Sequence, residues 1–164
     1  MIVRILAFLL AILVTGIPAG AQTPSPIVGT WRVLSFEREV LETKAVSHGF
    51  GGHAMGFLTF TPDGRMMSMV VDSTRKPPAQ PTPTDAEAVD LFRTMLAYVG
   101  TYRVQGNEII IHVEISWNQD PKNTDTRRTF KLDGDRLTTT TTPLVSSFLN
   151  NQTTVTTVVY ERVK

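Results

Sequence analysis

The chain has 164 residues, 41% of them hydrophobic, with 16 Lys and Arg against 15 Asp and Glu and no cysteine. That is the size of one domain with a core of its own, and the missing cysteines exclude a disulfide framework, a cysteine nucleophile and a zinc–thiolate site. The near-balanced charge argues against electrostatic capture of nucleic acid, which needs a basic patch or stripe.

Residues 1–21 read as a signal peptide. Arg4 supplies a minimal positive start, Ile5 to Val14 is almost unbroken apolar sequence, and Ala19-Gly20-Ala21 fits the small-residue cleavage pattern before Gln22. The run is short for a spanning helix, which needs about 20 apolar residues. Cleavage would remove Arg4, bring the net charge from +1 to zero and leave no stable membrane anchor. Residues 22–27 then form a short tail, and residues 28–164 the folded domain.

Val28 to Glu39 reads as a strand, with Trp31, Val33 and Ser35 on one face and Arg32, Leu34 and Phe36 on the other. Ser47 to Gly56 is rich in glycine and flanked by His48 and His53, the signature of a loop. Met55 to Phe60 and Arg65 to Asp72 form a hairpin around Thr61-Pro62-Asp63-Gly64. Phe57 and Thr59 should share a face with Met67 and Met69, and methionine suits the wall of an irregular apolar cavity as well as ordinary core. A proline-rich connector, Ser73 to Thr84, leads into a helix. Thr84 and Glu87 have capping-box spacing, and Ala88, Phe92, Met95, Leu96 and Val99 recur as one apolar stripe ending at Gly100.

From Thr101 onward the pattern is hairpins. Tyr102 to Gln105 and Glu108 to Trp117 flank Gly106-Asn107, Arg127 to Leu132 and Asp135 to Thr142 flank Asp133-Gly134, and Gln152 to Val163 is the last strand. Eight strands are enough to close a barrel that holds its own side chains or one small ligand. Around Gly106-Asn107, Tyr102, Val104, Ile109, Ile111, Val113, Ile115 and Trp117 share one face, and Arg103, His112 and Glu114 the other. Burial energetics, at about 25 cal/mol per Å², favours the apolar face inward. The competing assignment puts Arg103, His112 and Glu114 inside and the helix over the apolar face.

Three residues carry the chemical candidates. Glu114 should lie roughly opposite Arg128, and His112 beside them can exchange a proton near neutral pH. The alternative is a solvent-exposed ion pair. His48, His53 and His112 lack a fourth partner at metal-ligand spacing, so neither a metal nor another cofactor is expected.

Val28-Gly29-Thr30-Trp31-Arg32 resembles the G-x-W opening of lipocalins. Gly56 to Met66, Gly100 to Val104, His112 to Ser116, Arg127-Arg128 and Leu132 to Leu137 resemble, in order, the bacterial and fungal lipocalin-like domain family. The resemblance covers about Val28 to Val163. It implies an all-β fold: a single antiparallel calycin barrel of eight to ten strands with one α-helix packed against it. It also implies that Arg162 packs across Trp31 to close the barrel. Some relatives look like cyclases or isomerases, although Ile111 stands where a second histidine is common.

The expectation is thus an exported, periplasmic or secreted protein, monomeric or weakly dimeric, that binds a small apolar molecule inside the barrel. Phe57, Met67, Met69, Tyr102, Arg103, His112, Glu114 and Arg128 are the candidate ligand-binding residues. The alternatives are an isomerase or cyclase using His112 and Glu114 for proton transfer, and an interaction module with a filled barrel.

Overall fold

The computed structural model describes residues 25–119, 124–146 and 151–164, so the signal segment and the first half of the tail lie outside it. Among the described residues ten strands form one antiparallel sheet: β1 (Gly29–Val40), β2 (Val46–His48), β3 (Ala54–Phe60), β4 (Arg65–Asp72), β5 (Met95–Gln105), β6 (Glu108–Ser116), β7 (Thr124–Asp133), β8 (Arg136–Thr141), β9 (Leu144–Ser146) and β10 (Gln152–Arg162). The order is β2-β1-β3-β4-β5-β6-β7-β8-β10-β9, and pairing of β1 with β10 closes eight of them into a barrel. Short β2 and β9 extend the wall at one end, and one helix, α1 (Asp85–Arg93), precedes β5.

The turns form as their chemistry dictates. Gly64, Gly106 and Gly134 all take positive φ, and the Gly64 N–H donates to the Thr61 carbonyl at 3.2 Å. Thr84 caps α1 in a complete capping box with Glu87. Two boundaries differ from the sequence reading. The helix stops at Arg93, because Met95 to Val99 find ladder partners in Val71 to Met67 on β4, and Tyr98 and Val99 also pair with Ser116 and Ile115 on β6. No helix residue is buried, so the expected apolar stripe is split between an exposed helix and a strand. The glycine-rich loop is likewise shorter, a strand followed by a 3-10 turn over Gly49–Gly52.

Two β-bulges decide which residues face inward. Trp31 and Val33 point into the barrel, but the register shifts between Val33 and Ser35. Phe36 and Val40 are therefore the buried residues beyond it, the reverse of simple alternation. The second shift lies between Val99 and Gly100, where Glu114 becomes the extra residue between Val113 and Ile115. Ile109, Ile111 and Val113 are buried as expected, whereas Ile115 is 62% exposed and Ser116 is inside. A Cβ on Gly100 would lie 1.9 Å from the His112 carbonyl oxygen, so glycine is what lets this bulge form.

One end of the barrel is packed solid by Ile27, Trp31, Leu58, Phe60, Met66, Ile109, Ile111 and Leu137, all 3% exposed or less. Ile27, assigned to the tail from sequence, belongs to this core, and its carbonyl accepts from Trp31 Nε1 at 2.8 Å. Arg162 pairs with Trp31 across the closing seam, its guanidinium carbon 4.1 Å from the indole centroid. Its Nη1 and Nη2 donate to the carbonyls of Val28 (2.9 Å) and Pro26 (2.8 Å). Gly29 has φ +134, and a Cβ there would lie 2.8 Å from Arg162 Nη1. Stacking and charge-assisted hydrogen bonds thus act on one side chain. Arg162→Met should lower stability by about 1.5–3 kcal/mol, read as an earlier urea midpoint with unchanged slope.

Candidate functional site

Beyond the solid core the interior opens into a cavity of about 190 Å³ at the opposite end of the barrel. Its walls come from the end of β1, the end of β4, the start of β5, the end of β6, the start of β7, the end of β8, β9, and β10 from Thr154 to Tyr160. Val70, Leu96, Val113 and Val158 supply apolar surface. The polar share is unusual for a barrel interior: Ser68, Ser116, Thr126, Arg128, Thr139 and Thr154 are all buried. The bulge in β1 brings Phe36 and Arg38 into the wall, and the bulge in β6 brings Ser116. Phe50 of the 3-10 turn packs edge-on against Phe36 at 5.7 Å, and an adjoining hollow of about 260 Å³ shares Arg38, Leu96 and Trp117 with the cavity.

Arg128 dominates the electrostatics. It shares the inward parity of Thr126 and is 9% exposed, paired in the ladder with Ile109 rather than with Glu114. The expected Glu114–Arg128 pair is therefore corrected: the two sit on opposite faces, and Arg128 stands five ladder positions from Glu114, opposite Ile109. The guanidinium carbon lies 5.9 Å from the Tyr98 ring centroid, and Tyr160 is a second lining phenol. Burial works against the Arg128 charge, the Tyr98 and Tyr160 oxygens favour it, and the net direction of its pKa is upward. Burial, then Tyr98, push the Tyr160 phenol far above its usual range, so it stays protonated. Arg38, at the mouth, is shifted downward by burial.

The other candidates lie elsewhere. Phe57, Met67 and Met69 share a face as expected, but it is the outer one, where they are about half exposed. The reason is parity, since Leu58, Phe60, Met66, Ser68 and Val70 take the inner positions. With Met55 and Ile115 they are exposed apolar residues on the outside of β3, β4 and β6. Arg103, His112 and Glu114 also point outward. Glu114 accepts from Arg65 at 2.8 and 3.2 Å, and Asp125 accepts from His112 Nδ1 at 3.0 Å and from Arg103 at 3.3 Å. The competing parity assignment, with these polar groups inside, is overturned. Tyr102 faces inward but stands over the solid end, its ring 4.7 Å from Phe60 and its hydroxyl donating to the Thr61 carbonyl at 2.9 Å. Of the candidate ligand-binding residues, only Arg128 reaches the cavity. His48 lies 3.8 Å from Glu37, and no group of three or more His, Asp or Glu among the described residues is placed to hold a metal.

The lipocalin-like domain family matches residues 28–163, from the Gly29-Thr30-Trp31 strand to the end of the closing seam. The chain belongs to that family. No curated protein matches it.

The cavity residues of this lipocalin-like barrel that sequence reasoning missed are Phe36, Arg38, Tyr98, Tyr160 and the hydroxyls. Tyr98 was hidden by the helix assignment, and Phe36 and Arg38 by the first bulge. A signal existed for Arg128: it alternates in step with Phe130 and Leu132, so an arginine shares the apolar face of its strand.

The exposed Asp125 cluster makes a pH prediction. The hydrogen bond from His112, followed by Arg103, holds the Asp125 carboxyl below its usual value. Its contribution to stability is therefore present above the unfolded carboxyl pKa of about 3.9 and is lost as pH falls through the lower folded value. Asp125→Asn should be slightly less stable than the parent near about pH 7, and the two urea midpoints should converge at about pH 2.

Proposed function

We propose that this protein binds a small, largely apolar molecule in the barrel interior. The observation that carries the reading is the cavity of about 190 Å³ left at one end of a barrel whose other end is packed solid. A fold stabilised only by its core would close that space, because empty volume costs about 24 cal/mol per Å³ in lost contacts. Apolar walls supply affinity and a few buried polar groups supply orientation, the usual division in small-molecule sites. The isomerase or cyclase alternative assigned proton transfer to His112 and Glu114, and neither reaches the cavity.

The test is to fill the space. N-phenyl-1-naphthylamine, an uncharged dye that brightens in apolar surroundings, should bind the parent protein saturably at one site. Val70→Phe adds bulk to the cavity wall and should weaken that binding at least about tenfold, with the far-ultraviolet circular dichroism of the barrel retained. Undiminished binding by Val70→Phe would place the dye on the outer apolar residues and defeat the reading.

Export belongs to the same proposal. It is supported by the apolar run Ile5 to Val14 and by Ala19-Gly20-Ala21 before Gln22, in a chain whose barrel needs no disulfide. Expression of the full chain in a bacterium should yield an extracytoplasmic product whose intact mass starts at Gln22. A product retaining Met1 in the cytoplasm would contradict it.

A further inference from the structure

We propose that the ligand is an organic acid whose oxyanion head is held by Arg128 between Tyr98 and Tyr160, with its apolar body extending along the cavity toward Arg38. The inference rests on the interior-binding reading and specifies its chemistry. Four outward arginines have carboxylate partners: Arg32 with Glu161, Arg65 with Glu114, Arg103 with Asp125 and Arg127 with Glu108. Arg128, adjacent to Arg127 in the chain, has none among the described residues, and its buried Nε makes no hydrogen bond. Thr126 Oγ1, one inward position along β7, is also buried without a partner. No Asp or Glu among the described residues lines the cavity, so the described wall carries two guanidinium groups and no compensating charge.

Burying a guanidinium without a counter-charge is one of the costliest arrangements a fold can hold. A docked oxyanion removes the deficit. It offers acceptor lone pairs to Arg128 Nε, to the Thr126 hydroxyl and to the Tyr160 phenol, and charge-assisted bonds of this kind are the strong ones. An inorganic anion would satisfy the polar groups but leave Val70, Val113, Val158 and Leu96 facing empty space. A neutral apolar ligand would fill the space but leave Arg128 without a counter-charge and its Nε without an acceptor. An acid with an apolar body answers both.

Decanoate and decanol differ in the head group alone, so the test compares their displacement of N-phenyl-1-naphthylamine from the parent, Arg128→Met and Val70→Phe proteins. The parent should bind decanoate at least about tenfold tighter than decanol. Arg128→Met should weaken decanoate about 10- to 100-fold while changing decanol by no more than about twofold. The unliganded Arg128→Met protein should also melt at a higher temperature, because an uncompensated buried charge has been replaced by an apolar side chain of similar length. A merely structural arginine gives the opposite result, a lower melting temperature and equal loss of both ligands, and that outcome overturns the proposal. So does equal binding of decanoate and decanol that is sensitive to Val70→Phe, which leaves interior binding intact. Displacement indifferent to Val70→Phe defeats the interior-binding reading itself.

Discussion

The seam between β1 and β10 is the constraint on which the remaining architecture depends. It joins the first and last barrel strands from Trp31–Arg162 to Val40–Thr154, and with it every barrel strand has neighbours on both sides. An open sheet of this length would expose edges prone to aggregation. Closure also turns the alternation of each strand into an inside and an outside. At one end of the seam Trp31 is fully buried, and Arg162 lies across it and reaches back to Pro26 and Val28. Because the large side chains concentrate there, the free volume falls at the far end.

What could be read in the sequence, and what could not, follows from how local each determinant is. The turns at Gly64, Gly106 and Gly134 are set by two or three residues, so three hairpins were legible with their parity. The eight barrel strands followed, and the G-x-W opening pointed to the closing seam. The bulges were not legible. Whether Leu34 or Glu114 is an extra residue depends on partner strands distant in sequence, and each one-residue slip sends every later side chain to the opposite face. The slip exchanged Ile115 for Ser116 at the wall and placed Phe36 and Arg38 inside. Met95 to Val99 failed for a related reason: their spacing fits a helix, but two waiting ladders outweighed local preference.

The wall of the β3–β4 hairpin has a distribution of polarity that core packing alone does not explain. Met67 and Met69 lie outside and Ser68 inside, while across the barrel Thr126, Thr139 and Thr154 are buried. β7 shows the same contrast in successive residues: Arg127 turns out to Glu108 at 3.3 Å, and Arg128 turns in to a cavity with no carboxylate among the described residues of its wall. One inversion could be an accident of register. Several hydroxyls and a guanidinium converging on one end of the interior, with apolar residues displaced to the surface, amount to a consistent departure from the apolar-in pattern.

Such a departure has a thermodynamic consequence. Stability is a small difference between large terms, and a buried cation with unsatisfied neighbours reduces it directly. The solid end, with Trp31, Phe60 and the Ile109–Ile111 face, is what allows the other end to remain polar and open. A molecule that binds the folded barrel and not the unfolded chain returns the lost stability through mass action. The two ends therefore divide the work: the Trp31–Arg162 end holds the barrel closed without a ligand, and the Arg128 end is the part of the fold that a ligand would complete.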